Sequence, residues 1–407
     1  MKIIDGGVTA PKGFSAAGTE AFIKYENRPD MAMLFSKEPC IVAGTFTSNV
    51  VKAAPVIWDA KIVKETGTAR AAVVNTGIAN AGTGKQGMDI CKAEAAEAAK
   101  ALGIKKEEVL VGSTGVIGEQ LNTEKLKSGI RALAGKLSDS RQAATEASIA
   151  IMTTDTVNKE AAATFEIGDK TVTVGGMSKG SGMIHPNMCT MLGYITTDLN
   201  IDRSLLQKAL SEDVKDTFNM ITVDGDTSTN DTLLLFANGL AGNEKITAED
   251  ENYKKFCEAL HYVNETLAKK MAGDGEGATK LVEVLVTGAS TKDEAKILAR
   301  SVAGSNLTKA AMYGNDSNFG RILCALGYSG VDFDPDRVDI SYESEGKSIR
   351  IFSGGIKADY DEAEATKILD HKEVRIIADM HMGEAKATAW GCDLTYDYVK
   401  INADYRS

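Results

Sequence analysis

Residues 175–192 read Gly175-Gly176-Met177-Ser178-Lys179-Gly180-Ser181-Gly182-Met183-Ile184-His185-Pro186-Asn187-Met188-Cys189-Thr190-Met191-Leu192. From Gly180 to Thr197, 18 residues pass without a charge. Their Gly, Ser, Asn, Thr and Pro content makes a poor membrane span. The stretch does permit one particular reaction. The hydroxyl of Thr190 can add to the carbonyl of Cys189, so that the acyl group moves from nitrogen to oxygen. Water then hydrolyses the ester and leaves a new N-terminal threonine. Its α-amine, with a pKa of about 7.7–8.0, can act as the base for its own hydroxyl. The flanking glycines allow the strained turn that self-cleavage requires. On these residues alone, a Cys-Thr pair in a loop is nearly always just a loop, and sequence physics does not single it out.

Bulk properties narrow the setting. A chain of 407 residues is long enough for two or three domains. Charged residues make up 25% and hydrophobic residues 43%, as in water-soluble globular proteins. A net charge of -11 argues against a nucleic-acid partner, which demands a basic surface. The start, Met1-Lys2-Ile3-Ile4-Asp5, has no apolar run, so no signal peptide is expected. Six cysteines lie scattered without CxxC spacing, which points to reduced thiols and a cytoplasmic location. The four histidines, His185, His261, His371 and His381, show no metal-ligand spacing, so no metal is expected. A histidine-based hydrolase would have to draw on these four, and His185 alone lies in a Gly-rich loop. A threonine activated by its own amine needs none of them.

Strand-like and helix-like runs alternate along the chain. Ala71–Val74, Val109–Gly112 and Thr171–Val174 read as strands. Cys91–Leu102, Ser138 to about Met152 (with Ser138 as N-cap), Leu205–Phe218 and Asp250–Met271 read as helices. Leu281–Val286 is a strand and Asp293–Val302 a helix. Beyond them Val338–Tyr342, Ser348–Phe352, Val374–Ala378 and Asp393–Ile401 read as strands, with one helix near Asp361–Leu369. In the last strand Leu394, Tyr396, Tyr398 and Lys400 would share a face. The expected domains are therefore 1–286 and a smaller α/β unit, 287–407.

Further Gly-rich segments are Val74–Gly82, Gly112–Gly118 and Gly273–Gly277. Gly175 to Gly180 has Walker spacing, but Ser181 stands where the lysine must be. No GxGxxG lies between a strand and a helix, so a nucleotide cradle is disfavoured. Singly, such glycines mark tight turns; together they suggest backbone amides close to a ligand. Val223–Asp231 resembles the start of a calcium loop, but Thr229 and Leu235 occupy the Gly and Glu positions. It reads equally as a solvated loop or as a buried, hydrogen-bonded turn beside an active site.

The segments together resemble the ornithine acetyltransferase (ArgJ) family. Lys179–Ile184 followed by Thr190-Met191-Leu192 is similar to its cleavage segment, and Ser113–Gly118 to its oxyanion segment. Met152–Thr156, Val223–Asp231, Tyr313–Arg321, Gly44–Asn49 and Ala53–Val56 follow the family pattern in order, over the whole chain. Cys189 departs from the alanine common before the nucleophile, and Phe319 stands where tryptophan is expected.

The resemblance implies an α/β (α+β) fold: an α-β-β-α sandwich of the self-processing type with a smaller C-terminal α/β domain. It implies a glutamate N-acetyltransferase of arginine biosynthesis, moving acetyl from N2-acetyl-L-ornithine to L-glutamate, with ornithine and N-acetylglutamate as products. Thr190 is implied as nucleophile, cut from Cys189 by the chain itself. Thr114 and Gly115 are implied as oxyanion donors, and Thr153, Lys179, Thr190, Glu276, Asn402 and Ser407 as substrate contacts. The cut would give fragments of 189 and 218 residues, α and β, held together as two copies of each. No cofactor is expected. Some family members also take acetyl from acetyl-CoA, and the motifs do not separate the two kinds. The R/Q-x-x-G-x-G/A loop of acetyl-CoA-dependent N-acetyltransferases is not seen, which favours the single activity. A self-processed aminopeptidase of the same fold is the alternative, and an uncut binding protein the third reading.

Overall fold

The structure, a computed structural model, describes residues 1–185 and 191–404. The chain forms two compact units. The first comprises Met1–Gly180, Asn187–Thr217 and Thr227–Leu267; the second comprises Ser181–Pro186, Phe218–Asp226 and Ala268–Ser407.

The first unit begins with β1 (Lys2–Ile4), β2 (Phe14–Thr19), β3 (Met31–Phe46), α1 (Ala54–Glu65), β4 (Thr68–Asn75), α2 (Gly84–Leu102) and β5 (Val109–Ser113). It continues with α3 (Thr123–Lys136), α4 (Arg141–Ala150), β6 (Lys159–Ile167), β7 (Lys170–Lys179), β8 (Leu192–Thr197), α5 (Arg203–Asp213), β9 (Thr232–Ala237) and most of α6 (Glu251–Gly273). Nine strands join in one sheet, ordered β1-β6-β7-β8-β9-β3-β4-β5, with β2 paired to β3 off this path.

The sheet changes partners at β3. Its first half pairs with β2 and β4, and its second half, from Ile41, pairs with β9. The register shifts between Phe35 and Cys40, where Lys37, Glu38 and Pro39 stand exposed. Pro39 has no N–H to continue a ladder, which suits it to this break. The two half-sheets then face each other. Ala32, Leu34, Ala72, Val74 and Leu110 share one core with Met177, Leu192, Tyr194, Leu234 and Phe236. Their strand neighbours Met31, Met33, Ala71, Val73, Val109 and Val111 point the other way, onto Ile90, Ala95, Leu126 and Ile130 of α2 and α3. This is the period-two alternation of a sheet buried on both faces. On the far side, Gly176 of β7 lies against Val263 and Leu267 of α6. The first unit is thus the expected α-β-β-α sandwich, made from one sheet folded over.

The second unit holds β10 (Leu281–Ala289), α7 (Lys292–Ala303), α8 (Asn306–Tyr313), α9 (Phe319–Gly327), β11 (Asp339–Ser344), β12 (Lys347–Ser353) and β13 (Ile356–Lys357). It ends with α10 (Glu362–Leu369), β14 (Glu373–Asp379), β15 (Ala385–Cys392) and α11 (Tyr396–Ala403). Six strands lie in the order β13-β12-β11-β14-β10-β15, and only β10 and β14 run parallel. Val282, Val284 and Val286 alternate inward, as do Val374, Ile376 and Ala378. The expected boundary at 286/287 falls within β10, whose buried valines belong to this sheet. Phe319 stacks on Phe352 with centroids 5.2 Å apart, a packing role for the position where tryptophan is expected.

Three local expectations are corrected. Residues 393–401 do not form a strand: β15 ends at Cys392 and α11 begins at Tyr396. Asp393 takes the N–H groups of Thr279 (2.8 Å) and Lys280 (3.0 Å), which ends the ladder, and Thr395 then caps the helix. The apolar alternation there marked no buried face, since Tyr396 and Val399 are exposed. The N-cap of α4 is Ser140, not Ser138, whose backbone instead bridges to Ala16. The helix expected to reach Phe218 stops at Asp213, because Phe218–Met220 is a separate short turn.

Candidate active site

Two loops at the ends of β4 and β5 are laced together. The N–H of Thr114 reaches the Asn75 carbonyl at 3.1 Å, and that of Val116 reaches Gly77 at 3.0 Å. Gly115 has φ +133°, and a Cβ there would lie 2.2 Å from the Gly77 carbonyl carbon. Only glycine permits this approach. Among the described residues, neither the Thr114 hydroxyl nor the Gly115 N–H has a hydrogen-bond partner. Two neighbouring donors with spare capacity are what a developing oxyanion requires.

Asn230 fastens this pair of loops. Its amide donates to the carbonyls of Ala79 (2.5 Å) and Ser113 (2.7 Å). Ser113 and Asn75 both donate to the Ile78 carbonyl, at 2.8 and 2.9 Å. Beside Asn230, Asp231 is fully buried and accepts from the Met191 N–H at 3.1 Å, while the Thr232 N–H donates to the Met191 carbonyl at 3.0 Å. Burial pushes the Asp231 carboxyl well above the usual range, against the opposing pull of the Met191 N–H and the Lys179 charge. Residue 191 is therefore held at both backbone groups. Thr190, Cys189 and Ser407 lie outside the described residues.

At the end of β7, the Lys179 ammonium donates to the Thr153 hydroxyl at 2.8 Å. Asp155 sits beneath them: one oxygen takes Lys159 Nζ and Gly180 N–H, both at 2.7 Å, and the other takes Thr153 N–H at 3.0 Å. Burial raises this carboxyl, but the charges of Lys179 and Lys159 and the Gly180 N–H outweigh it and hold it at about 2. The structure thus brings Thr153 and Lys179 together.

Glu276 and Asn402 meet in the second unit. Asn402 Nδ2 donates to Glu276 Oε2 at 2.7 Å, and the Glu276 N–H reaches the Ser181 carbonyl at 2.8 Å. The Glu276 carboxylate lies over Gly182, where a Cβ would come within 2.4 Å of it. Asp224 binds the next turn, taking the N–H groups of Met183 (2.6 Å) and Ile184 (2.9 Å). The segment Val223–Asp231 therefore answers to both of its readings. Ser228–Asp231 is buried and bonded, while Gly225 and Asp226 are exposed or nearly so.

The sequence reading missed Asn230, Asp231, Asp155 and Asp224 as individual positions. Each stood inside a recognised segment, but spacing does not say which polar side chain turns inward. Among the described residues no group of three His, Cys, Asp or Glu could hold a metal, and no helix is long and apolar enough to cross a membrane. His261 and His381 pair with Asp213 and Asp339. His185 lies 3.2 Å from Thr222 Oγ1, and burial lowers its pKa.

The folded-over sandwich is the fold class of the acyltransferases that the sequence resembles. Residues 15–407 match the sequence profile of the ArgJ family, and the chain belongs to that family, whose members are acyltransferases of arginine biosynthesis. It is 53% identical over 409 residues to the arginine biosynthesis bifunctional protein ArgJ of Symbiobacterium thermophilum, covering 100% of both chains. The Thermotoga neapolitana protein of the same name is 51% identical, covering 98% of this chain and 99% of that one. A crystal structure of the Bacillus halodurans ArgJ protein is 48% identical, with a TM-score of 0.50, and covers 52% of this chain and 97% of its own.

Proposed function

We propose that the chain is a glutamate N-acetyltransferase that cuts itself between Cys189 and Thr190. It then carries acetyl on Thr190 from N2-acetyl-L-ornithine to L-glutamate. The observation that carries this reading is the family match from residue 15 to 407, with every motif in order. The solved Bacillus halodurans chain supports the cut: it spans 52% of this chain, close to the length of a 218-residue β fragment.

The geometry suits the chemistry. The Thr190 hydroxyl attacks the acetyl carbonyl while the free α-amine of the same residue takes its proton. The carbonyl oxygen becomes an oxyanion that accepts hydrogen bonds from the Thr114 hydroxyl and the Gly115 N–H. The carbon–nitrogen bond breaks, ornithine leaves with the proton, and the glutamate amine attacks the acetyl ester in turn. Losing one oxyanion donor costs about 3–4 kcal/mol of barrier. Lys179 with Thr153 offers a cation and a hydroxyl to a substrate carboxylate, and Glu276 with Asn402 offers an anion to an ammonium. Ser407 is read as a further substrate contact. The fragments stay together as two copies of each, in the cytoplasm.

A second activity has one observation in its favour. The relatives are named bifunctional, which supports acetyl-CoA as an additional donor, against the sequence-based preference for one activity. A denaturing gel with intact masses tests the cut. A single uncut band with full activity would sink the threonine mechanism. Ornithine release from N-acetylornithine that ignores glutamate would favour an aminopeptidase-like hydrolase. N-acetylglutamate formed from acetyl-CoA would establish the second activity.

A further inference from the structure

We propose that Asp224 is a positioning residue for self-cleavage, clamping the segment that leads to the cut. The inference rests on the reading of Thr190 given above. The N→O shift forms a bond from the Thr190 hydroxyl oxygen to the Cys189 carbonyl carbon. The Cys189–Thr190 C–N bond then breaks, and the nitrogen takes the hydroxyl proton. Water next adds to the ester, leaving a Cys189 carboxylate and a free hydroxyl. The first step depends on how often the chain visits a near-attack shape. A slack segment visits it seldom.

Met183, Ile184 and His185 are not slack. The Asp224 carboxylate accepts two successive backbone N–H groups, Met183 at 2.6 Å and Ile184 at 2.9 Å. The Ile184 carbonyl accepts the Val223 N–H at 2.8 Å and the Thr222 hydroxyl at 3.3 Å. Ile184 is thus tied at both backbone groups to residues 222–224. Met183 has φ +56°, a left-handed shape that a non-glycine residue keeps only when its surroundings enforce it. Burial does not enforce it, because Met183 is 40% exposed. The carboxylate does. Asp224 is itself held: the Tyr398 hydroxyl donates to it at 3.3 Å, and so does the Asp226 N–H at 3.3 Å. Helix α11 therefore braces the clamp.

The clamp acts before the cut. Afterwards residue 189 is a chain end, no longer bonded to Thr190, so acetyl transfer depends on Asp224 less than cleavage does. Asparagine tests this closely. Its side-chain amide would offer one carbonyl oxygen and turn its NH2 toward the second backbone N–H. We expect D224N to slow the appearance of the two fragments about 10-fold or more, the loss typical of a hydrogen bond to a charged acceptor. D224E should restore part of the rate. Cut molecules, counted by a stoichiometric acyl burst, should lose less kcat/KM than the cleavage rate loses. Wild-type cleavage by D224N, or equal losses in cleavage and in transfer per cut molecule, overturns the proposal. If D224N fails to fold, Y398F decides, through a slowing of about 2- to 10-fold; unchanged cleavage there overturns it as well. T190A serves as the control: a cut between residues 189 and 190 in that variant refutes the threonine reading and not the clamp.

Discussion

The Lys179 ammonium donates to the Thr153 hydroxyl across 2.8 Å, and both side chains are buried. Asp155 below them accepts from Lys159 and from the N–H groups of Gly180 and Thr153, and the Lys179 charge also helps hold its carboxyl low. On the proposed function, this pair meets the carboxylate of the substrate. Lys179→Met should raise KM for N-acetylornithine and for glutamate by about 10- to 100-fold, with a smaller fall in kcat. Thr153→Val keeps the volume and removes the hydroxyl, and should cost about 10-fold or less. Steady-state kinetics of both half-reactions check this; a loss confined to kcat would put Lys179 in the chemistry instead.

Asn230 spans the two loops that frame Thr114 and Gly115. Asn230→Ala leaves two buried carbonyls without their donor, a cost of about 1–3 kcal/mol in stability. The oxyanion donors should also lose alignment, lowering kcat by about 10- to 100-fold. Thermal melts and single-turnover acylation measure the two effects separately. A destabilised variant with normal kcat would make Asn230 purely structural.

Gly182 lies under the Glu276 carboxylate, and any Cβ would meet it at 2.4 Å. Gly182→Ala should swing Glu276 away from Asn402 and weaken recognition of the substrate ammonium. The expected sign is a KM for N-acetylornithine raised about 10-fold. Discrimination against an analogue lacking the side-chain amine should shrink in step. Equal losses for both substrates would disconnect Glu276 from the ammonium.

Glu94 of α2 is buried, and neither of its carboxyl oxygens has a partner among the described residues. Burial pushes it from 4.5 to about 8. The folded chain keeps a proton that the unfolded chain gives up above about pH 4.5, so stability from this group falls as pH rises through that window to about 8. Glu94→Gln carries no charge at any pH. Its melting temperature relative to wild type should climb from pH 5 to pH 8, by the equivalent of about 2–4 kcal/mol. A fixed cost of burying the amide shifts every pH alike. A flat difference would mean that Glu94 is not neutral in the fold.

The sandwich was legible because its strands carry plain signals. Ala71–Val74 and Val109–Gly112 are continuous small apolar runs, as strands buried on both faces must be. The C-terminal helix was not legible. Tyr396 and Tyr398 imitate a strand face, and what breaks the imitation is Asp393, bonded to Thr279 and Lys280 more than a hundred residues away. The candidate site was readable as segments and not as side chains. Gly115 was singled out only through the family resemblance, and the fastening role of Asn230 depends on Ala79 and Ser113, which no local pattern connects to it. Asp224 and Asp231 look alike in sequence, yet one binds Met183 and Ile184 and the other Met191.

The strand order carries a last consequence. Lys179 of β7 and Leu192 of β8 are direct partners, so any break at residue 189 opens a connection between neighbouring strands. Downstream of that break, β8 and β9 lie between β7 and β3, which are both upstream. The two products of such a break would be interleaved like the fingers of clasped hands. Neither could complete the sheet if made alone, and each would present raw strand edges to other chains. A cut at that place would therefore have to follow folding if both products are to stay in one sheet.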